Sequence, residues 1–255
     1  MTQLASDDIV LDDFARLDLD AVALLLDVDG TLIDIGPTPS DVHVPADLTQ
    51  SLLRLDALTG GAVALVSGRP IRDLDRLFSP LLLSSVGVHG AEMRVRGVAI
   101  ERDSAPLPAA MRTRLAAMAG AGVIVEDKGY SLAMHFRGAP RREAELREFA
   151  SSVIEDSGDD SIELLQGKSL IEIRRAHVNK GEGVAALMTH PPFRGRLPVF
   201  IGDDVTDEDV FKVLPKLGGR GYSVGRIFAG LAGMFRSPAD VRDALAQLAK
   251  GGRRP

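Results

Sequence analysis

Apolar residues run unbroken from Ala21 to Leu26 (AVALLL) and stop at acid. An uninterrupted run of that length predicts a strand buried on both faces, as in a parallel sheet covered by helices. From Pro45 to Leu58 the spacing turns helical, with Leu48, Leu52 and Leu55 on one face and Gly60-Gly61 as the stop. Ala62 to Val66 is a second short apolar run. Ser67-Gly68-Arg69-Pro70 follows it and opens another helix, proline being favourable in a first turn. Ser84 to Val88 predicts a third strand. Glu92–Val95 and Val98–Glu101 flank Arg96-Gly97 and predict a hairpin.

The pattern then changes. Pro108 to Ala119 is helical, and Val123–Glu126 and Ser131–Phe136 are strands around Lys128-Gly129. A charged helix from Pro140 to Glu155 precedes two more strands, Ile162–Leu165 and Leu170–Arg174, around Gly167. This is helix-strand-strand twice over, a weak internal repeat whose adjacent strands suit antiparallel pairing. From Asn179 the alternation resumes with a helix to about Met188, strand Leu197–Ile201, helix Asp207–Leu214, strand Gly221–Val224 and a last helix Pro238–Ala249. The expected fold class is α/β: a doubly wound, mainly parallel sheet in residues 1–103 and 176–255, interrupted by an α+β cap in residues 104–175.

Composition narrows the function classes. A net charge of −6 argues against a general binder of nucleic acid or anionic membranes. The chain has no cysteine, so disulfides, thiolate catalysis and cysteine-held metals are excluded. It has no tryptophan and few aromatics, against a stacking platform for single strands. No apolar run approaches the roughly 20 residues of a membrane span. The first residues carry Asp7, Asp8, Asp12 and Asp13, unlike the basic and apolar start of a secretory signal. A cytoplasmic monomer acting on a small molecule is the expectation, with Gly251–Pro255 as a frayed end.

Candidate chemistry sits at the strand ends, where open α/β sheets gather ligands. The first strand ends in Asp27-Val28-Asp29-Gly30-Thr31, the second in Ser67-Gly68, and the strand at 197–201 in Gly202-Asp203-Asp204 with Asp207 beyond. Lys180 opens the helix after the insertion. Carboxylates gathered at one edge repel and call for a cation, and an all-oxygen set without His or Cys suits Mg²⁺. A lysine and a serine hydroxyl beside the metal make a cradle for a phosphoryl group. One aspartate can attack phosphorus, and a second two residues on can serve the leaving alcohol and then water as acid and base. Each piece alone has a plainer reading, such as turn chemistry or helix capping by Asp204 or Thr206. The ordered set, each piece on the correct side of a strand, does not.

These residues resemble the haloacid dehalogenase superfamily of phosphotransferases, whose four motifs match in order. The resemblance implies a Rossmann-like core, with Asp27 as nucleophile and Asp29 as acid/base. Ser67 and Lys180 would hold the phosphoryl group. Mg²⁺ would be ligated by Asp27, Asp203 and the backbone carbonyl of Asp29, with Asp204 and Asp207 supporting the metal from nearby. A closer resemblance is to the trehalose-6-phosphate phosphatases. It is carried by Gly87–Glu92 (GVHGAE), by Val125–Ser131 through His135 and Arg137, by Gly167-Lys168 with Ile171–Arg174, and by Phe200–Asp209 (FIGDDVTDED). It covers residues from about 20 to 225 and implies a sugar site of His89, Glu92, Glu126, Lys128, His135, Lys168 and Glu172. Glu126 and Lys128, two apart on a strand, share a face. The chain departs at Arg175-Ala176, where proline is usual, and over Gly225–Phe235 (GRIFAGLAGMF), which lacks the expected Thr and Tyr.

The function so implied is Mg²⁺-dependent release of trehalose and phosphate from trehalose 6-phosphate through an aspartyl-phosphate. A phosphatase for another sugar phosphate, such as a sucrose, glucosylglycerol or mannosyl-glycerate phosphate, is the rival within the enzyme class. A phospho-acceptor signalling module is the rival outside it; such modules also join an Asp cluster, a hydroxyl and a lysine, but are much shorter and lack both a cap and the second aspartate.

Overall fold

The computed structural model of the chain describes residues 13–36, 41–102, 104–167 and 169–251. The expectations for Asp7, Asp8, Asp12, Lys168 and the tail after Gly251 therefore lie outside the described residues. The chain divides into two compact units, Met1–Glu101 with Lys180–Pro255, and Arg102–Asn179.

In chain order the first unit begins with β1 (Val22–Leu26), α1 (Ala46–Leu58), β2 (Val63–Val66), α2 (Ile71–Leu77), β3 (Ser84–Gly87), β4 (Glu92–Val95) and β5 (Val98–Ile100). The second unit holds α3 (Ala109–Ala116), β6 (Ile124–Asp127), β7 (Ser131–His135), α4 (Glu143–Ser157), β8 (Ile162–Gly167) and β9 (Leu170–Arg175). The first unit is then completed by α5 (Lys180–Leu187), β10 (Leu197–Gly202), α6 (Glu208–Val213), β11 (Arg220–Val224), β12 (Gly233–Phe235) and α7 (Pro238–Gly251).

The first unit is one sheet in the order β12-β11-β10-β1-β2-β3-β4-β5, parallel from β12 to β3 and antiparallel in the closing hairpin. All five residues of β1 are buried. Val22, Leu24 and Leu26 pack with Leu48, Leu52 and Leu55 of α1 and Val241, Leu245 and Leu248 of α7. Ala23 and Leu25 pack on the opposite face with Val184 and Leu187 of α5 and Val210 of α6. The unbroken apolar run thus follows from cover on both sides, each fully buried leucine contributing on the order of 2 kcal/mol.

The order of connection reverses at β1, whose neighbours are β2 and β10. Leu26 is level with Leu65 of β2 and Ile201 of β10. Asp27, Ser67 and Asp203 therefore leave three adjacent strands within two residues of a common level, at the switch point where such sheets bind ligands.

The second unit is a four-stranded antiparallel sheet in the order β6-β7-β9-β8. Leu132, Met134, Ile171 and Ile173 pack with Met111 and Leu115 of α3 and Leu146, Ala150 and Val153 of α4. Cross-strand partners share a face. The register Glu126↔Ala133, Ala133↔Glu172, Ser131↔Arg174 and Ile124↔His135 therefore gathers polar side chains opposite the helices.

One strand has no counterpart in the expectations. β12 adds to the edge of the sheet within the Gly225–Phe235 segment. Its three residues are too few for a period, and its anchor is a tertiary one: Phe235 is buried and meets Phe14 and Tyr222 at 5.5 and 5.8 Å between ring centroids. No helix among the described residues is long and apolar enough to cross a membrane.

Candidate active site

Directly after β1, the carbonyl of Val28 accepts the N–H groups of Thr31, Leu32 and Ile33 and turns the chain sharply. Gly30 lies in this turn at a φ of 85°. An L side chain would be strained there, and a Cβ would overlap the carboxylate of Asp203. The glycine thus lets the β1 and β10 loops close on one another. Thr31 Oγ1 reaches Asp203 Oδ1 at 3.4 Å.

Lys180 Nζ donates to Asp27 Oδ1 at 2.7 Å and to Asp207 Oδ1 at 2.6 Å, and all three side chains are buried. The other oxygen of Asp207 accepts the main-chain N–H groups of Asp203 and Asp204, both at 2.9 Å. Asp207 therefore anchors the lysine and fixes the loop that carries Asp203. The other oxygen of Asp27, Oδ2, is buried with no hydrogen-bond partner among the described residues. Asp27, Asp203 and Asp207 offer oxygens that lie within 4.8 Å of one another. Asp204 is exposed and stands outside this cluster.

The electrostatics follow from three carboxylates facing one ammonium. Burial, then the charges of Asp207 and Asp203, push Asp27 well above the usual carboxylate range despite Lys180. Burial and Asp207 push Asp203 up to about 6. Burial works against the Lys180 ammonium, but Asp207 and Asp27 outweigh it and hold its pKa above the ordinary lysine value. The cluster is short of positive charge, a condition a bound cation relieves.

The β2 loop closes the same edge. Ser67 is buried, its N–H donates to Val86 at 2.9 Å, and its Oγ accepts the N–H of Arg69 at 3.1 Å. Arg69 grips Asp29 with both arms, Nε to Oδ2 and Nη2 to Oδ1, each at 2.6 Å. His89 is buried at a φ of 53°, and its ring lies so close to Gly68 that a Cβ there would overlap it. Glu92 Oε2 accepts the N–H of Ile71 at 2.7 Å and so caps α2. His89 and Glu92 thus hold the shape of the loop that carries Ser67. The sequence assigns no role to Arg69, whose signal is a cation directly after Ser67-Gly68, in the loop that follows the strand beside the paired aspartates.

In the second unit, Glu126, Lys128, His135 and Glu172 form one network. Lys128 Nζ lies 3.3 Å from Glu172 Oε1 and 4.0 Å from Glu126 Oε2, and His135 Nε2 lies 3.1 Å from Glu126 Oε2. Burial alone would raise Glu126, but the hydrogen bond with His135 and the charge of Lys128 together hold it below its usual value. Ser131 joins this network unforeseen, its Oγ donating to Glu172 Oε1 at 2.7 Å. A serine at the start of a strand carries no sign of such a role in the sequence.

Comparisons with known proteins agree in kind. A family model described as trehalose-phosphatase matches residues 25–226. The chain is 44% identical over 213 residues to a probable trehalose-phosphate phosphatase of Sinorhizobium fredii, over 82% of this chain and 79% of the relative. It is 40% identical over 212 residues to the trehalose-6-phosphate phosphatase of Escherichia coli, over 80% of this chain and 77% of that one. The C-terminal domain of the C. albicans trehalose-6-phosphate phosphatase shares the fold, with a TM-score of 0.76 at 22% identity, over 95% of this chain and 96% of that one. The chain belongs to the trehalose-phosphatase family and is a phosphoric monoester hydrolase.

Proposed function

We propose that this protein hydrolyses trehalose 6-phosphate to trehalose and phosphate, with Mg²⁺, through a phosphorylated Asp27. The observation that carries the reading is the environment of Asp27. One carboxylate oxygen is fixed by Lys180, while the other is buried at the switch point of the sheet with no hydrogen-bond partner among the described residues. A nucleophile needs such a fixed carboxylate with an oxygen left for attack. The names of the relatives supply the sugar.

A divalent cation fits the donor set. The close approach of the Asp27 and Asp203 carboxylates, the raised Asp203 and a cluster that among the described residues offers oxygen alone together suit a hard ion. Asp27, Asp203 and the carbonyl of Asp29 would hold it, because both oxygens of Asp207 already serve Lys180 and the β10 loop. Mg²⁺ bound there supplies positive charge to the phosphoryl oxygens as negative charge develops on them.

The chain's own residues do the rest. Asp27 attacks phosphorus, and the ester bond to the sugar oxygen breaks. Asp29 gives that oxygen a proton. Water then attacks the phosphorylated Asp27, gives its proton to Asp29, and the Asp27–phosphorus bond breaks to return both carboxylates. Lys180 and Ser67 hold the phosphoryl oxygens. Residues 102–179 act as the cap, where Glu126, Lys128, His135 and Glu172 offer acceptors and donors to sugar hydroxyls.

A phosphate-release assay across sugar phosphates, with and without Mg²⁺, tests the reading. Trehalose 6-phosphate is expected to be the preferred substrate, with release lost after chelation. Preference for another sugar phosphate overturns the sugar assignment alone. A persistent phosphoprotein without turnover overturns the hydrolytic one.

A further inference from the structure

Arg69 is the residue of the core site whose work the four motifs leave unstated. Its side chain is 16% exposed and meets the Asp29 side chain, 35% exposed, through two parallel contacts of 2.6 Å. A fork on a fork sets the plane of a carboxylate as a single contact cannot. Each carboxylate oxygen has two lone-pair directions, so one on each remains for a proton exchanged with substrate or water. The same residue is fixed at its backbone. Its N–H donates to Ser67 Oγ, and its carbonyl accepts the N–H of Val88 at 3.0 Å. One residue thereby ties the orientation of Asp29 to the serine beside it.

We propose that Arg69 is a positioning residue for both proton transfers, holding Asp29 at a set angle to the position of Ser67. The proposal rests on the reading of Asp27 as nucleophile and Asp29 as acid/base. In the first step the P–O bond to the leaving alcohol breaks and its oxygen takes the proton of Asp29. In the second, water attacks phosphorus and passes a proton back to Asp29 as the bond to Asp27 breaks. An alcohol with high basicity, such as a sugar, needs the first transfer; a nitrophenolate leaves without it. Both substrates need the second.

The two steps separate in pre-steady-state kinetics with Mg²⁺ present. With p-nitrophenyl phosphate, Arg69→Met is expected to release about one equivalent of nitrophenol per enzyme in a burst. Steady turnover should then be at least about tenfold slower than wild type. With trehalose 6-phosphate it should show no burst and a kcat at least about tenfold lower. Inhibition by inorganic phosphate should stay within about twofold of wild type, since Lys180, Ser67 and the metal residues are untouched. Arg69→Lys keeps the charge without the fork and should fall between the two. It is read in the same assay, so the question stays decidable even where Arg69→Met does not fold.

Equal losses on both substrates without a burst, or wild-type kinetics in Arg69→Lys, overturn the positioning role. Asp29→Asn tells this failure from failure of the underlying reading. A burst in Asp29→Asn but not in the Arg69 variants removes Arg69 alone. Unimpaired turnover in Asp29→Asn removes the acid/base assignment and the proposal with it.

Discussion

Asp27 and Lys180 make each other's burial tolerable, but the balance is incomplete because Asp203 and Asp207 face the same lysine. A buried carboxylate held above its usual pKa costs stability once it is ionised. Asp203, pushed up to about 6, gives the sign. Between its unfolded value, near 4, and 6, the native protein binds more protons than the unfolded chain, so stability falls as pH rises through that window. Above 6 the penalty is fully present. Thermal melts of metal-free protein from pH 4 to 7 are expected to show this fall, and Asp203→Asn to flatten it. Asp27→Asn removes another repelling charge with almost the same shape. It should melt at or above the metal-free wild type while turnover drops by roughly four orders of magnitude or more. Near-normal phosphate release from folded Asp27→Asn would end the nucleophile assignment. Gly30→Ala tests the close approach of the β1 and β10 loops. A φ of 85° disfavours alanine, and its Cβ would displace the Asp203 carboxylate, so a loss of more than about 1 kcal/mol in stability is expected together with a need for higher Mg²⁺.

At the scale of elements, β1, β2 and β10 were legible because burial on both faces leaves an unbroken apolar run ending in polar residues. Motifs at their ends were legible because each was anchored to such a run. β12 was not, since three residues have no period and its partners, Phe14 and Tyr222, are distant in sequence. The Arg69–Asp29 and Ser131–Glu172 contacts were hidden for the same reason: both depend on register between strands, which a single sequence does not display. The strands of the second unit carry the sugar prediction. Their network offers two carboxylates, an ammonium and an imidazole on one sheet face. Losing a hydrogen bond from a charged group typically costs about 1.5–3 kcal/mol. Glu126→Ala, Lys128→Ala and Glu172→Ala should each lower kcat/KM for trehalose 6-phosphate by at least about tenfold. Slow hydrolysis of a small aryl phosphate should change little, since that substrate has no sugar hydroxyls to recognise. Equal falls on both substrates would assign these residues to folding instead.

At the scale of the whole molecule, the groups proposed to be catalytic come from segments far apart in sequence. Asp27 and Lys180 are separated by the entire second unit, and the sheet order alone brings β1 beside β10. The charge imbalance of the cluster is therefore charged against the folding of the first unit, and a cation that binds only the folded form should return that stability. Such binding adds RT ln(1 + [L]/Kd), about 2.7 kcal/mol when Mg²⁺ stands at 100 times its Kd. Chelated protein is expected to melt several degrees lower than protein in millimolar Mg²⁺ and to release no phosphate, both recovering on Mg²⁺ addition. Ca²⁺ should recover the melting temperature better than the activity, because it takes more ligands at longer distances and would displace the carboxylate proposed to attack. Asp203→Ala should need much higher Mg²⁺ for both effects. Full activity after exhaustive chelation would remove the cation from the mechanism. Lost activity with an unchanged melting curve would put its site outside the Asp27–Asp203 cluster, because occupancy of that cluster must be felt by the fold that builds it.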